Sequence, residues 1–515
     1  MITDYFDTGA ARYPDRTFLQ SDTLRLSYRD VVVASHAIAH GLTREGLASS
    51  RIGILSPNHP DGFVAMLGIL RAGATYVPLN ARDQIEDLIW FMRFTEMSAL
   101  VYHEQYLPHI DRIRSEVPTL TSCIAFGEHS AAGLSTEAWK REHSGQTCNT
   151  RRGLDDIALI KSSGGTTGRP KAIMQSHRCL LAAYRIANQF TAPAKDPVHL
   201  VVAPLTHAAG ATAMGLSAFG TRNVIAPSTD PATVLELIER EHVTHLFLPP
   251  TMIYRILAHP DAHTRDCSSL EYVIYGAAPM SVDKLEEGLR LWGQVFVQFY
   301  GQSEAPGVIT CLSRQDHYHL DDPAGVKHLA SAGRPTGACE VALMDEGGNV
   351  VPAGERGEIV VRGELVCPGY LDNPEANAEA HRFGWHHTGD IGVFDESGYL
   401  YVVDRTKDVV ISGGFNIYPS EIEQLIWSHP AVQDCAVVGV PDEDWGERLT
   451  AVIELKSESE ATAENIIEMC RNRFGSMKTP KQVEFWESLP RSAVGKVLKR
   501  DLRAPYWEGM ARGIN

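Results

Sequence analysis

Positive charge is what this chain is short of: 47 Lys and Arg face 64 Asp and Glu, a formal net charge of −17 at pH 7. Non-specific binding to nucleic acid or to an anionic membrane needs a basic face, so the composition argues against both. A long hydrophobic run is also missing. The longest, Phe63 to Leu70, stops at Arg71, far short of the roughly 20 residues a membrane span requires. The opening Met1-Ile-Thr-Asp-Tyr-Phe-Asp7 has neither the basic nor the apolar region of a signal peptide. Nine cysteines contain no C-x-x-C pair, which suggests neither a zinc site nor a disulfide framework. Reduced thiols in a cytoplasmic protein are the simpler expectation. Internal repeats and low-complexity tracts are absent. An apolar fraction of 44% over 515 residues leaves ample material for more than one core.

The richest stretch is Lys161-Ser-Ser-Gly-Gly-Thr-Thr-Gly-Arg-Pro-Lys171. Gly164, Gly165 and Gly168 alternate with Ser162, Ser163, Thr166 and Thr167, and the run closes on Lys171. Glycines let successive N–H groups turn into one concavity, hydroxyls add donors and the lysine adds a cation, so the chemistry is that of a polyphosphate cradle. A flexible surface loop has a similar composition. The strand-like flanks Asp156–Ile160 and Ala172–Met174 favour the cradle. A Walker A loop is excluded, because Lys171 follows Pro170 and precedes Ala172.

Around the cradle, residues 1–150 read as mixed α/β: a helix from Tyr28 ending near Gly41, a strand from Arg51, a helix Asp61–Arg71 and a strand Ala72–Asn80. Such alternation predicts parallel layers. Residues 125–153 read as surface connection. Further strands at Val198–Pro204, Val243–Pro249, Tyr272–Tyr275 and Val295–Tyr300 each end in small or polar residues. In an open α/β sheet those ends converge on a ligand crevice. From about residue 330, short strands at Glu340–Met344, Gly357–Arg362 and Gly398–Val403 suggest a small barrel or sheet. Ser420 and Glu423 have capping-box spacing at a helix start. Residues 410–515 then have the size and pattern of an independent α+β domain.

Five separate motifs, in one order, resemble the adenylate-forming superfamily of acyl-CoA synthetases, adenylation domains and luciferases. They are the cradle, Tyr300-Gly-Gln-Ser-Glu304, Thr388-Gly-Asp390, the Arg405–Glu423 segment and Pro490-Arg-Ser-Ala-Val-Gly-Lys496. The likeness runs from about Tyr28 to Lys499. It implies a large α/β body of layered subdomains with a β-barrel-like subdomain (1–404), a hinge (405–408) and a small mobile α+β domain (409–515). It implies a reaction between ATP, a carboxylic acid and CoA with Mg²⁺: acyl-AMP and pyrophosphate form first, then a thiol displaces AMP. Residue by residue, the cradle from Ser162 to Lys171 would hold the β- and γ-phosphates, with Gly164 where many members have serine. Tyr300 would stack on adenine against Gly276, Ala277, Ala278 and Pro279, with Gln298 and Gly301 nearby. Ser303, where threonine is usual, would donate to the α-phosphate, and Glu304 would ligate the metal. Asp390 and Arg405 would contact the ribose, Lys496 would bridge carboxylate and α-phosphate, and Lys407 would be the hinge. Ser412, Gly413 and Gly414 would line the CoA path.

The resemblance builds the acyl pocket from His207, Gly210, Ala211, Met214, Ala305 and Gly307, with Ala277, Gly301 and Pro306 beside them. These are mostly small and apolar with no evident cation, which suggests an aromatic or medium-chain apolar monocarboxylic acid rather than an amino acid. A stand-alone adenylation enzyme loading a carrier protein, or a light-producing oxygenase, would use the same first step. A homodimer is left open. His386 and His387 are adjacent in sequence, a spacing that argues against a metal site.

Overall fold

The computed structural model describes residues 1–127, 133–148, 150–163, 170–193, 196–317, 328–442, 445–457, 459–492 and 496–508. The strand–helix alternation of the first part of the chain builds two mainly parallel sheets. In one, Arg51–Ser56 lies between Thr75–Asn80 and Ala99–Tyr102, parallel to both. Its crossover helix, Pro60–Arg71, starts with proline at its first position and with the His59 side chain accepting from the Asp61 N–H. Both strand runs are apolar in their interiors and buried on both faces, as parallel sheets require. Ile157–Ser162 continues this sheet, pairs antiparallel with Ala172–Ser176, and Gly369–Tyr370 closes the edge. The strands on either side of the cradle are therefore paired with each other, Ser162 opposite Ala172.

The other sheet has nine strands. Val198–Val201, His245–Leu248, Tyr272–Gly276 and Phe296–Gln302 run parallel in that spatial order. Their carboxyl ends consequently open on one side, as the sequence implied. Ala305–Leu312 folds back antiparallel on Phe296–Gln302.

The region read as a small barrel or sheet is a four-stranded antiparallel sheet, ordered Glu340–Met344, Arg356–Arg362, His386–Phe394, Leu400–Arg405. Beyond it, Val432–Asp442 and Gly446–Leu455 form a long antiparallel pair joined by Gln482–Trp486. Helices Pro419–Trp427 and Ala463–Phe474 pack on that pair around a separate core containing Ile422, Ile426, Val437, Ala451 and Ile466.

Three local expectations are corrected. Residues 125–153 are not merely surface connection: Thr136–Glu142 is a helix capped by Ser135, and its Trp139 is 4% exposed. The helix from Tyr28 does not end near Gly41 but runs to Arg44. A Cβ on Gly41 would lie 2.2 Å from the Trp139 ring, so that glycine marks a close packing contact. Ser420 and Glu423 form no capping box. The Ser420 hydroxyl donates to the Val403 carbonyl, while Glu423 turns inward to Lys499 Nζ (2.7 Å) and the Val437 N–H (2.7 Å). The buried cation and the open edge of strand Val432–Asp442 outcompete the helix's own terminus. A true capping box stands at Ser27 and Asp30.

Candidate active site

Antiparallel pairing of His386–Phe394 with Leu400–Arg405 places Asp390 directly opposite Arg405. Arg405 Nε donates to Asp390 Oδ1 at 3.1 Å, and the Tyr300 hydroxyl donates to Oδ2 at 2.8 Å. Asp390 is 7% exposed, so its charge is held by these two partners rather than by water. Burial, and then the Asp390 charge, push the Tyr300 phenol well above its ordinary range and keep it a donor. Gln298, two residues earlier on the same strand face, has a buried Oε1 with no partner among the described residues.

Lys496 reaches this cluster from the far end of the chain. The Ser492 N–H donates to the Lys496 carbonyl (2.8 Å) and the Lys496 N–H to Ser492 Oγ (3.2 Å), which ties Lys496 to Ser492. Burial first, then the nearby Arg405 cation, push the Lys496 ammonium down to about 8. Its neighbours Asp390 and Asp408 act in the opposite sense. The C-terminal domain thus delivers a crowded lysine to Asp390 and Arg405. Thr406–Asp408, with Lys407 at its centre, is a single tight turn held by Arg503, which donates to the Lys407 carbonyl and the Asp408 carboxylate.

The cradle is closed at its neck: the Ser163 N–H donates to the Lys171 carbonyl (2.8 Å) and the Lys171 N–H to Ser163 Oγ (2.9 Å). Gly164, Gly165, Thr166, Thr167 and Gly168 lie outside the described residues. Beside the neck, Tyr370 joins two expected site residues. Its hydroxyl donates to Glu304 Oε1 at 2.9 Å, and Lys171 Nζ sits 4.5 Å from its ring centroid. Tyr370 carried no sequence signal, since only the pairing of Gly369–Tyr370 with Met174 and Ile173 brings it here. Gln175 Nε2 and the Cys367 thiol both donate to the Ser303 carbonyl, and the Cys367 N–H donates to the Glu304 carbonyl. Backbone contacts therefore fix this turn and leave the Ser303 side chain to the cavity it lines.

That cavity, about 560 Å³, lies between the two large sheets and takes in Ser162, Ser303, Gly301, Ala277, His207, Gly210, Ala211, Met214 and Gly307. Burial, then Lys161 and Arg82, drive the His207 imidazole well below its usual range, so it is neutral there. Helix His177–Phe190 supplies a wall that sequence reasoning missed: Leu180, Ala183, Tyr184, Ala187 and Asn188, spaced at 3 and 4, share one face. Ala277 has φ +67 beside Gly276, a left-handed conformation that is costly for a residue with a Cβ and is typical of functional turns.

In the acyl pocket some placements differ from expectation. Ala305 is fully buried among Ala182, Ile186 and Val361 and does not line the cavity. The cavity wall is not free of cations, because Lys161 and Arg82 belong to it. Gly210 and Gly301 are small for backbone packing rather than for room: a Cβ would sit 1.9 Å from the Leu205 carbonyl oxygen and 2.7 Å from Gly307, respectively. Ala278 and Pro279, expected beside adenine rather than in this cavity, follow Ala277 in the turn after strand Tyr272–Gly276. Ser412, Gly413 and Gly414 are expected on the CoA path only once the C-terminal domain turns. They form a hairpin turn on the C-terminal sheet, flanked by Ile411, Phe415 and Trp445, each more than half exposed. His386 and His387 are used singly, hydrogen-bonded to Gln302 Nε2 (3.0 Å) and Glu358 (2.7 Å).

Comparison with known proteins bears on both domains. Residues 6–371 match the family model of the AMP-binding enzymes, and residues 421–496 match that of the AMP-binding enzyme C-terminal domain. The medium/long-chain-fatty-acid–CoA ligase FadD8 of Mycobacterium tuberculosis is 36% identical over 90% of this chain and 82% of its own length. The feruloyl-CoA synthase of an Amycolatopsis species is 36% identical over 96% of both chains. Among solved structures, the amide bond synthetase McbA of Marinactinospora thermotolerans superposes with TM-score 0.89 at 27% identity, over 98% of this chain and 100% of that one.

Proposed function

The chain belongs to the AMP-binding enzyme family, and from that premise we propose that it is an AMP-forming carboxylic acid–CoA ligase. In the first step an acid carboxylate oxygen attacks the α-phosphorus of ATP, the bond to the bridging β-phosphate oxygen breaks, and acyl-AMP and pyrophosphate result. In the second, the CoA thiol adds to the acyl carbonyl, AMP leaves as the C–O bond breaks, and the thiol proton is lost to solvent.

The cradle behind the Ser163–Lys171 neck would grip the departing pyrophosphate, with Lys171 held over Tyr370. Tyr300 and the Gly276–Pro279 turn would bracket adenine, and the orphaned Gln298 acceptor suits an exocyclic amine. Asp390, with Arg405, would accept from the ribose hydroxyls. Lys496 and the Ser303 hydroxyl would stabilise charge that builds on the α-phosphate and the attacking carboxylate. Glu304 fits a hard divalent cation: one oxygen is oriented by Tyr370, and carboxylate oxygen is the donor Mg²⁺ prefers. Mg²⁺ bound there would neutralise phosphate charge.

The single observation that carries this reading is the delivery of Lys496, by a separately cored domain, onto the Asp390–Arg405 pair beside an apolar cavity. We further propose that 1–404 is the fixed body, 405–408 the hinge around Lys407, and 409–515 the moving domain. Turning about Lys407 would exchange Lys496 for the Ser412–Gly414 turn, whose exposed apolar flank would then be covered. The cavity walls fit an acid with an aromatic or medium-chain apolar body. Two curated relatives named for a fatty acid and for a ferulic acid thioester lend weight to both choices. A cytoplasmic setting suits nine free thiols and the supply of ATP and CoA.

The test is AMP release against a panel of carboxylic acids, with and without CoA. Turnover that needs both acid and CoA is expected. CoA-independent turnover, or none with any acid, would overturn the reading.

A further inference from the structure

Strand Ile157–Ser162 alternates its faces. Ile160 packs in the core with Leu79 and Met92, while Leu159 and Lys161 face the cavity. A lysine in that position is unexpected, since the wall around it is largely apolar. Among the described residues its ammonium has no hydrogen bond and no ion pair. The carboxylate that acts on it most is Glu304, which is already bound to Tyr370 and does not line the cavity.

The charge around it is one-sided. Arg82, Lys161, Arg255 and Arg491 line the cavity, against only Asp434 and Glu454. Arg491 holds both of those carboxylates, at 2.7 and 2.9 Å. His207, between Lys161 and Arg82, is kept neutral by them and by burial. A cation enclosed without a contacting anion is costly unless a ligand supplies an oxygen. The cradle, Lys171, Arg405 and Lys496 already provide for the nucleotide, and Lys161 shares its strand face with Leu159, on the side of the acid's body.

We propose that Lys161 is a specificity residue: it binds a second oxygen acceptor on the acid, a carboxylate, oxo or hydroxyl group attached to the apolar body, distinct from the carboxylate that reacts. This rests on the ligase reading and narrows its substrate class. The preferred acid is then a ring or chain that carries both a reacting carboxylate and a further oxygen group.

The experiment compares wild type with Lys161→Met, which keeps the length and apolar stem but removes the charge. Acids are supplied in pairs of equal skeleton: benzoate with its hydroxy- and carboxy-substituted forms, hexanoate with its oxo and ω-carboxy forms. kcat/KM is read from AMP release. Wild type is expected to favour the oxygenated member of at least one pair, and Lys161→Met is expected to reduce that ratio by about tenfold or more. Separate hydroxyl, oxo and carboxyl arms identify the group. An unchanged ratio in the variant, or an equal loss on every acid with a raised KM for ATP, would overturn the inference and make Lys161 a packing or phosphate residue. Absence of turnover by wild type on any acid would overturn the ligase reading itself, a result distinct from both.

Discussion

Asp390 ends with both carboxylate oxygens taken, one by Arg405 and one by Tyr300, so a ribose that binds there must compete with or share those contacts. At this scale the sequence was legible wherever a motif carried its own chemistry: Tyr300, Asp390, Arg405 and Lys496 converge although the chain separates them widely. Tyr370 was not legible, because a lone aromatic on a two-residue edge strand is defined only by what pairs with it. Tyr370→Phe should raise the KM for MgATP by about tenfold while thioester formation from supplied acyl-AMP is little changed, since a hydrogen bond to a charged group contributes about 1.5–3 kcal/mol. Initial rates at varied MgATP check this.

Lys161 and Lys496 both titrate near 8, below the ordinary 10.5, because burial disfavours their charged forms. Phosphate beside Lys496 should restore its charge, so ATP binding between pH 8 and 9 should take up protons. Calorimetry in two buffers of different ionisation enthalpy would read the uptake, and proton release would contradict it. The stability sign follows from the same shift. Between about pH 8 and 10.5 the unfolded chain binds the more protons at these two sites, so their destabilising effect is fully present below pH 8 and is relieved as pH rises.

Elements explain which size signals in the sequence misled. Gly210 and Gly301 were read as small pocket-lining residues, yet each is small because backbone lies against it. Room in the cavity comes instead from helix His177–Phe190, where Ala183 and Ala187 recur at spacing 4 on the cavity face. An alanine on a helix has no distinguishing chemistry, so only the packing of that helix between the two sheets exposes its role. Ala183→Phe should shrink the cavity and shift selectivity toward smaller acids by about tenfold in kcat/KM, measured on a chain-length series. Gly301→Ala should cost activity on all acids alike, because its Cβ would force apart the hairpin that carries Ser303 and Glu304. The flanks of the cradle, by contrast, were readable as elements: both were expected as strands and both are, and reciprocal Ser163–Lys171 hydrogen bonds tie them together.

Across the whole molecule, two parallel sheets frame the cavity, a small antiparallel sheet supplies Asp390 and Arg405, and a separately cored domain supplies Lys496. Parallel layering and a C-terminal α+β unit were foreseeable from strand–helix alternation. The contacts between these units were not, since they depend on side chains far apart in sequence, such as Gln424 donating to the Met280 carbonyl. Among the described residues no helix is long and apolar enough to cross a membrane. The central claim is that Lys496 serves the first half-reaction alone and leaves the site for the second. Lys496→Ala, assayed separately for acid-dependent ATP–pyrophosphate exchange and for CoA thioester formation from supplied acyl-AMP, tests it most directly. The account predicts exchange lowered by about 100-fold or more with thioester formation near the wild-type rate; equal loss of both half-reactions would contradict it.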